Sequence, residues 1–320
     1  MKNIELVYKG QIYSIRNNWE SMKSDVYLRL VHNIILMSKG ELSPGELRIR
    51  YLCDLMDWDI HKFRDEEAVA NIACISEQLT FLFTISYPDN DILDKLSPEE
   101  RKLCKIIDPY HLQVPHAEEL KKLDYKYTLN LCFCAQLMPC LVIDGSKYNG
   151  YRIDIRYHVL TCSLSALQYI EARDLVYAKD DSLPLMAAIL YYPGSYDSEG
   201  AHKLAEVFSK LPEDTLHAIS LNFQAFNNFL FTRTSFSLLT QFRPQPDRPI
   251  TTDASDALYD LSKDGLGNTE IIEHINVITY LRIIRKKTID AVKNMHGMGM
   301  DYAKISSEIG LPISTIEQIL

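Results

Sequence analysis

Apolar residues recur at helical spacing over most of the chain and alternate with polar ones in two short regions only. The densest apolar patterning lies in residues 182–239, where Leu216, Ile219, Phe223, Phe226 and Leu230 fall at i, i+3, i+7, i+10 and i+14. That stripe predicts a nearly engulfed helix, opened by Leu211-Pro212-Glu213-Asp214. Two shorter helices should precede it. One is capped by Ser182, with Pro184 in its first turn, and stops before Pro193-Gly194; the other is capped by Ser198 and buries Leu204, Val207 and Phe208.

Upstream, residues 4–15 alternate around Lys9-Gly10-Gln11, which predicts a β-hairpin with Ile4, Leu6, Tyr8 and Ile12 among its apolar positions. A helix capped at Ser24-Asp25 follows and is stopped by Gly40. Ser43-Pro44-Gly45-Glu46 then reads as cap, first-turn proline and early acid. The helix behind it faces inward with Leu47, Tyr51, Leu55 and Trp58, leaving Arg48 and Arg50 as solvated charges. Val69, Ile72, Ile75, Leu79 and Phe83 predict one helical segment over 65–87, ending at Pro88. Residues 97–123, broken by Pro109 and Pro115, read as a linker with one short helix after Ser97.

The second alternating region, about 129–157, predicts two or three strands around the turn Asp144-Gly145. Helical pattern resumes at Ser163 and runs to Val176. Pro244, Pro246 and Pro249 mark an extended connector over 243–252. Beyond it the pattern predicts a short helix at 254–261, a Gly265-Leu266-Gly267 break, a long helix over 269–295 and two short helices. The expected architecture is therefore mainly α. Residues 1–242 form a helical bundle with an N-terminal β-hairpin and a second small β patch, and 253–320 form a C-terminal helical module.

Composition narrows the function classes. A formal charge of −9 over 320 residues argues against a general polyanion binder, because phosphate contacts need clustered Lys and Arg. The apolar run at 129–143 is short for a bilayer and holds Asn130, Gln136 and Pro139, so no membrane association is expected. Met1-Lys2-Asn3-Ile4-Glu5 lacks the apolar core of a secretory signal. Seven cysteines, an odd number among mostly apolar neighbours, read as reduced thiols of a cytoplasmic protein.

Three groups of residues could carry chemistry. Cys132, Cys134 and Cys140 with His111 or His116 offer metal-ligand types but lack two compact pairs, so buried thiols are expected. Asp144 with Asp154-Ile155-Arg156 places acids and a base as a metal-dependent nuclease would, although a strand face of alternating charge explains them as well. No phosphate loop, dinucleotide fingerprint, serine elbow or His-Glu-x-x-His motif occurs. No catalytic, cofactor or metal site is expected. Third, Ile305, Ile309, the Gly310-Leu311-Pro312 turn, Ile316 and Ile319 have the outline of a helix-turn-helix. Its second helix carries Glu317 and no base, so nucleic-acid contacts would fall to Arg282, Arg285, Lys286, Lys287 and Lys293 on the preceding helix.

The opening Tyr8-Lys9-Gly10-Gln11-Ile12-Tyr13-Ser14-Ile15, followed by Asn18-Trp19-Glu20-Ser21-Met22 and helices, resembles small proteins of tailed phages and prophages, tail assembly chaperones among them. The likeness covers about the first sixty residues. The block at 183–239 resembles prophage proteins more loosely, and the length and second β patch depart from the chaperone outline. The resemblance implies a non-enzymatic assembly or scaffolding protein that binds a phage structural or tail protein in the cytoplasm of a bacterial host. The alternative is a DNA-binding regulator that uses the C-terminal helices.

Overall fold

A computed structural model describes residues 3–8, 10–59, 62, 65–88, 91–178, 180–242 and 268–320. The connector expected at 243–252, the helix at 254–261 and the break at 265–267 lie outside the described residues. The chain is mainly α, with an N-terminal hairpin, small β elements and C-terminal helices, as expected. Among the described residues its strands form four separate antiparallel pairs, so the two β patches do not join in one sheet. No described helix is long and apolar enough to cross a membrane. The chain divides into two compact units, Met1–Leu131 and Cys132–Leu320.

In the first unit β1 (Ile4–Tyr8) pairs with β2 (Gln11–Ile15), matching Ile4 with Ile15 and Val7 with Ile12. Ile4 and Ile15 are buried, whereas Val7 and Ile12 share the opposite face and are 69% and 75% exposed. Ile12 therefore faces solvent, a consequence of the two-residue period across this register. Helix α1 (Ser24–Ser38) begins at the residue expected to cap it, so the extended Lys23 holds the N-cap position instead. Helix α2 (Pro44–Met56) has the expected capping box: Ser43 N–H donates to Glu46 Oε2 at 2.8 Å, and Glu46 N–H donates to Ser43 Oγ at 3.2 Å.

Beyond Leu55, expected inward on α2 but exposed, three larger expectations fail in this unit. Arg48 is not a solvated charge but 3% exposed, its guanidinium 5.1 Å from the ring centres of both Phe83 and Tyr127. Helix α3 (Glu66–Glu77) ends before Leu79, and Phe83 begins strand β3 (Phe83–Ser86), which pairs with β4 (Lys126–Leu129). The run Phe81-Leu82-Phe83-Thr84-Ile85 is aromatic and β-branched, which favours a strand over a continued helix. Asn17 holds the change of direction: its amide donates to Gln78 O and Thr80 Oγ1 and accepts from Phe81 N–H.

The presumed linker is the third correction. Helices α4 (Asp91–Asp94), α5 (Pro98–Cys104) and α6 (Ala117–Leu120) close a small core of Ile85, Tyr87, Leu96, Cys104, Leu112 and Leu120. Apolar residues at irregular spacing build that core, so periodicity could not register it.

The second unit opens with two consecutive hairpins, β5 (Cys140–Ile143) with β6 (Ser146–Asn149) and β7 (Ile153–Arg156) with β8 (Val159–Cys162). Helix α7 (Ala166–Asp174) is capped by Ser165 in a box with Gln168 rather than by Ser163. Helices α8 (Leu183–Leu190) and α9 (Ser198–Phe208) follow; Asp197, not Ser198, caps α9 by accepting Gly200 N–H at 2.7 Å. Ser182 holds the N-cap position of α8 without a side-chain cap bond.

Helix α10 (Glu213–Arg233) buries all five residues of the expected stripe. Each such side chain contributes about 1.5–3 kcal/mol when removed from water. Tyr151, just before β7, packs edge-to-face on Phe223 and at a tilt on Phe226 of this helix, so the hairpins rest on the main core.

The long helix expected over 269–295 is broken into α11 (Thr269–Glu273) and α12 (Val277–Gly297). Asn276 causes the break. Its side chain accepts Ile278 N–H at 3.0 Å as a cap and donates to Cys162 O, while Val277 N–H donates to Leu164 O at 3.0 Å. Helices α13 (Tyr302–Ile309) and α14 (Ile313–Ile319) turn at Gly310, φ 87°. Val292, Ile305, Leu311 and Ile316 share a core with Leu238, which precedes the proline-rich run. The C-terminal helices and residues 235–240 thus pack as one.

Candidate partner-binding site

Residues 132–139 have no regular structure, so their backbone groups need other partners. Asn222, 1% exposed on α10, supplies them: its Oδ1 accepts Leu137 N–H at 2.7 Å and its amide donates to Ala135 O at 2.9 Å. Tyr191 donates to Met138 O, and its burial pushes the phenol above its ordinary pKa, so it stays a donor. This pinned stretch carries the two hairpins. Gly150, between them, donates to Pro139 O at 3.0 Å, and a Cβ there would come within 3.0 Å of the Tyr191 ring.

The first hairpin turns at Asp144 (φ 49°) and Gly145 (φ 78°), both left-handed, as a two-residue type I′ turn requires. Asp and Gly suit that conformation. Asp144 is also paired with Lys210 at 2.5 Å, a contact that raises the lysine pKa.

The second hairpin makes the same kind of turn with Tyr157 (φ 50°) and His158 (φ 62°). A bulky residue at positive φ is strained by about 1–2 kcal/mol, because its Cβ crowds the neighbouring carbonyl. Tyr157 is 97% exposed, and the exposed Ile155 and Val159 flank it. Apart from the pairing within the hairpin, no backbone hydrogen bond engages 154–161 among the described residues. The outer edge of β7 is thus unpaired, while β8 lies beside helix α12. Cys162 closes the base of this ribbon; burial pushes its thiol up to about 12.

Two clefts of about 700 Å³ each flank the ribbon's base and share Pro139, Tyr151, Arg152 and Ser163. One extends along the ribbon to Asp154, Arg156 and Thr161, the other toward Asn149, Gln168 and Tyr192. Ser163 Oγ accepts Arg152 N–H at 2.8 Å, which fixes the backbone from which the exposed Arg152 side chain projects.

The nuclease arrangement does not form as a cluster. Asp154 pairs with Arg156 of its own strand at 2.5 Å, and Asp144 with Lys210. Among the described residues no group of three or more His, Cys, Asp or Glu side chains converges to hold a metal ion. Of the thiols, Cys132 contacts Thr232 Oγ1 at 3.2 Å and Cys140 points at Leu141 O. His111 pairs with Glu77 at 2.7 Å and His116 with Glu119 at 2.8 Å. Helix α12 carries all five predicted nucleic-acid contacts: Arg282, Lys286, Lys287 and Lys293 are exposed and Arg285 is half-buried.

Sequence reasoning missed the Tyr157-His158 turn and strand β8. The only signal was Val159, Leu160 and Cys162 beyond a strand already recognised. The chain matches no protein-family model, no curated protein and no solved structure.

Proposed function

We propose that this chain is a non-enzymatic assembly or scaffolding protein of a phage-like element, acting in the cytoplasm by binding an extended segment of a structural or tail protein. The observation that carries the reading is the β7–β8 ribbon, with the outer edge of β7 unpaired and an almost fully exposed aromatic at a strained turn. An open edge accepts a partner strand through backbone hydrogen bonds, while neighbouring pockets read alternate side chains. The clefts at Arg152 adjoin such a strand. Strain that persists at an exposed turn marks a place where folding alone did not choose the residues. The phage-like context comes from the outline of the first sixty residues.

Site-directed photo-crosslinking in the native host tests this. A photoreactive residue in place of Tyr157 should trap one phage structural or tail protein, and the same residue in place of Asp144 should not. The purified partner should then slow amide exchange across 153–162. Equal trapping from both positions, or no slowing with the purified partner, would overturn the reading.

A further inference from the structure

Helix α12 holds five bases, Arg282, Arg285, Lys286, Lys287 and Lys293, against one acid, Asp290, in a chain whose formal charge is −9. At 100° per residue Arg282, Lys286 and Lys293 lie within about 40° of one another around the helix axis. At 1.5 Å per residue they span about 16 Å along it. All three are exposed, and none is in an ion pair or hydrogen bond among the described residues. Three bases elsewhere in this unit are paired locally, Arg156 with Asp154, Lys203 with Glu199 and Lys210 with Asp144. The other side of α12 is anchored by Val277, Tyr280, Leu281 and Val292, so the stripe sits on a fixed rod.

We infer that this stripe binds the phosphate backbone of nucleic acid without reading its sequence. The helix that would enter a groove in a helix-turn-helix is α14. It offers Ile313, Ser314, Glu317 and Gln318 to solvent and carries no base. Its Thr315 faces inward and bonds to Gln241 at 2.5 Å. An exposed glutamate repels phosphate, so α14 does not supply the basic contacts that position such a helix on DNA. Three unpaired cations in line fit about three successive phosphates, a weak contact that holds an assembly protein near nucleic acid. It is independent of the ribbon on β7 and β8.

The test is fluorescence anisotropy of the full chain with a labelled duplex of about 20 base pairs, from about 50 to about 300 mM salt. Binding should weaken on a log–log slope of about −3, the value for three neutralised phosphates, and two unrelated sequences should agree within about threefold. The triple variant Arg282→Glu, Lys286→Glu, Lys293→Glu should bind at least about tenfold more weakly. A control triple at exposed bases elsewhere, Lys39→Glu, Lys102→Glu, Lys147→Glu, makes the same change in net charge and should bind within about threefold of wild type. Circular dichroism of both variants confirms that they are folded. Equal losses in the two triples would mean diffuse charge and would overturn the inference. So would no binding at low salt, which points instead to an acidic protein surface, or a strong preference between sequences.

Discussion

The two hairpins of the second unit are neighbours in sequence, share a platform and turn through the same left-handed pair of residues, yet they solve the turn differently. At β5–β6 the residues are Asp144 and Gly145, suited to positive φ, with Lys210 paired to the aspartate. At β7–β8 they are Tyr157 and His158, and an aromatic ring stands in solvent. Local propensity decides the first turn. The second departs from propensity where an aromatic is almost fully exposed and the outer edge of β7 is unpaired. On the proposed reading, that pairing of strain with exposure separates a structural hairpin from one kept for contact.

The largest expected effect comes from breaking what the hairpins share. Phe223→Ala leaves a cavity beneath Tyr151 and should cost about 3–5 kcal/mol, lowering the thermal midpoint and loosening both hairpins together in amide exchange. Gly145→Val forces a β-branched residue to φ 78° and should destabilise by about 1–3 kcal/mol in a denaturant titration. The same measurement should change sign at the other turn. Tyr157→Asn with His158→Gly installs the favoured type I′ pair and should stabilise by about 1–2 kcal/mol.

This contrast also marks what the sequence could express. The capping boxes at Ser43 and Ser97 and the stripe from Leu216 to Leu230 are local patterns, and the fold obeys them. The Tyr157-His158 turn contains none of the residues that announce a turn, so β8 was invisible although β7 was read. Arg48 sits off the periodic face of α2, and nothing near it in sequence shows that Phe83 and Tyr127 will enclose its guanidinium. The break between α11 and α12 depends on Asn276 meeting the backbone of Cys162, a contact 114 residues away. Local rules found elements and several of their caps; long-range contacts decided the changes of course at Asn17 and Asn276.

Two smaller effects sharpen the comparison. Cys162 keeps its neutral thiol in the fold up to about pH 12, while an unfolded thiol ionises near about pH 8.5. Its contribution is therefore complete below about pH 8.5 and is lost as pH rises toward the folded value. Wild type should accordingly lose more stability than Cys162→Ala between about pH 8.5 and pH 11, as followed by chemical denaturation. Smallest of all, Lys210→Ala removes an exposed ion pair and should leave the melting temperature unchanged, because the Asp-Gly turn does not depend on it.

The most direct test combines stability and binding in one pair of proteins: wild type and the Tyr157→Asn, His158→Gly variant, each melted and each titrated with the partner trapped at position 157. The account predicts that the variant melts at higher temperature and binds at least about tenfold more weakly, since removing the aromatic anchor costs on the order of 1.4 kcal/mol or more. A variant that melts higher and binds as tightly as wild type would contradict it, leaving the strained ribbon without the role assigned to it.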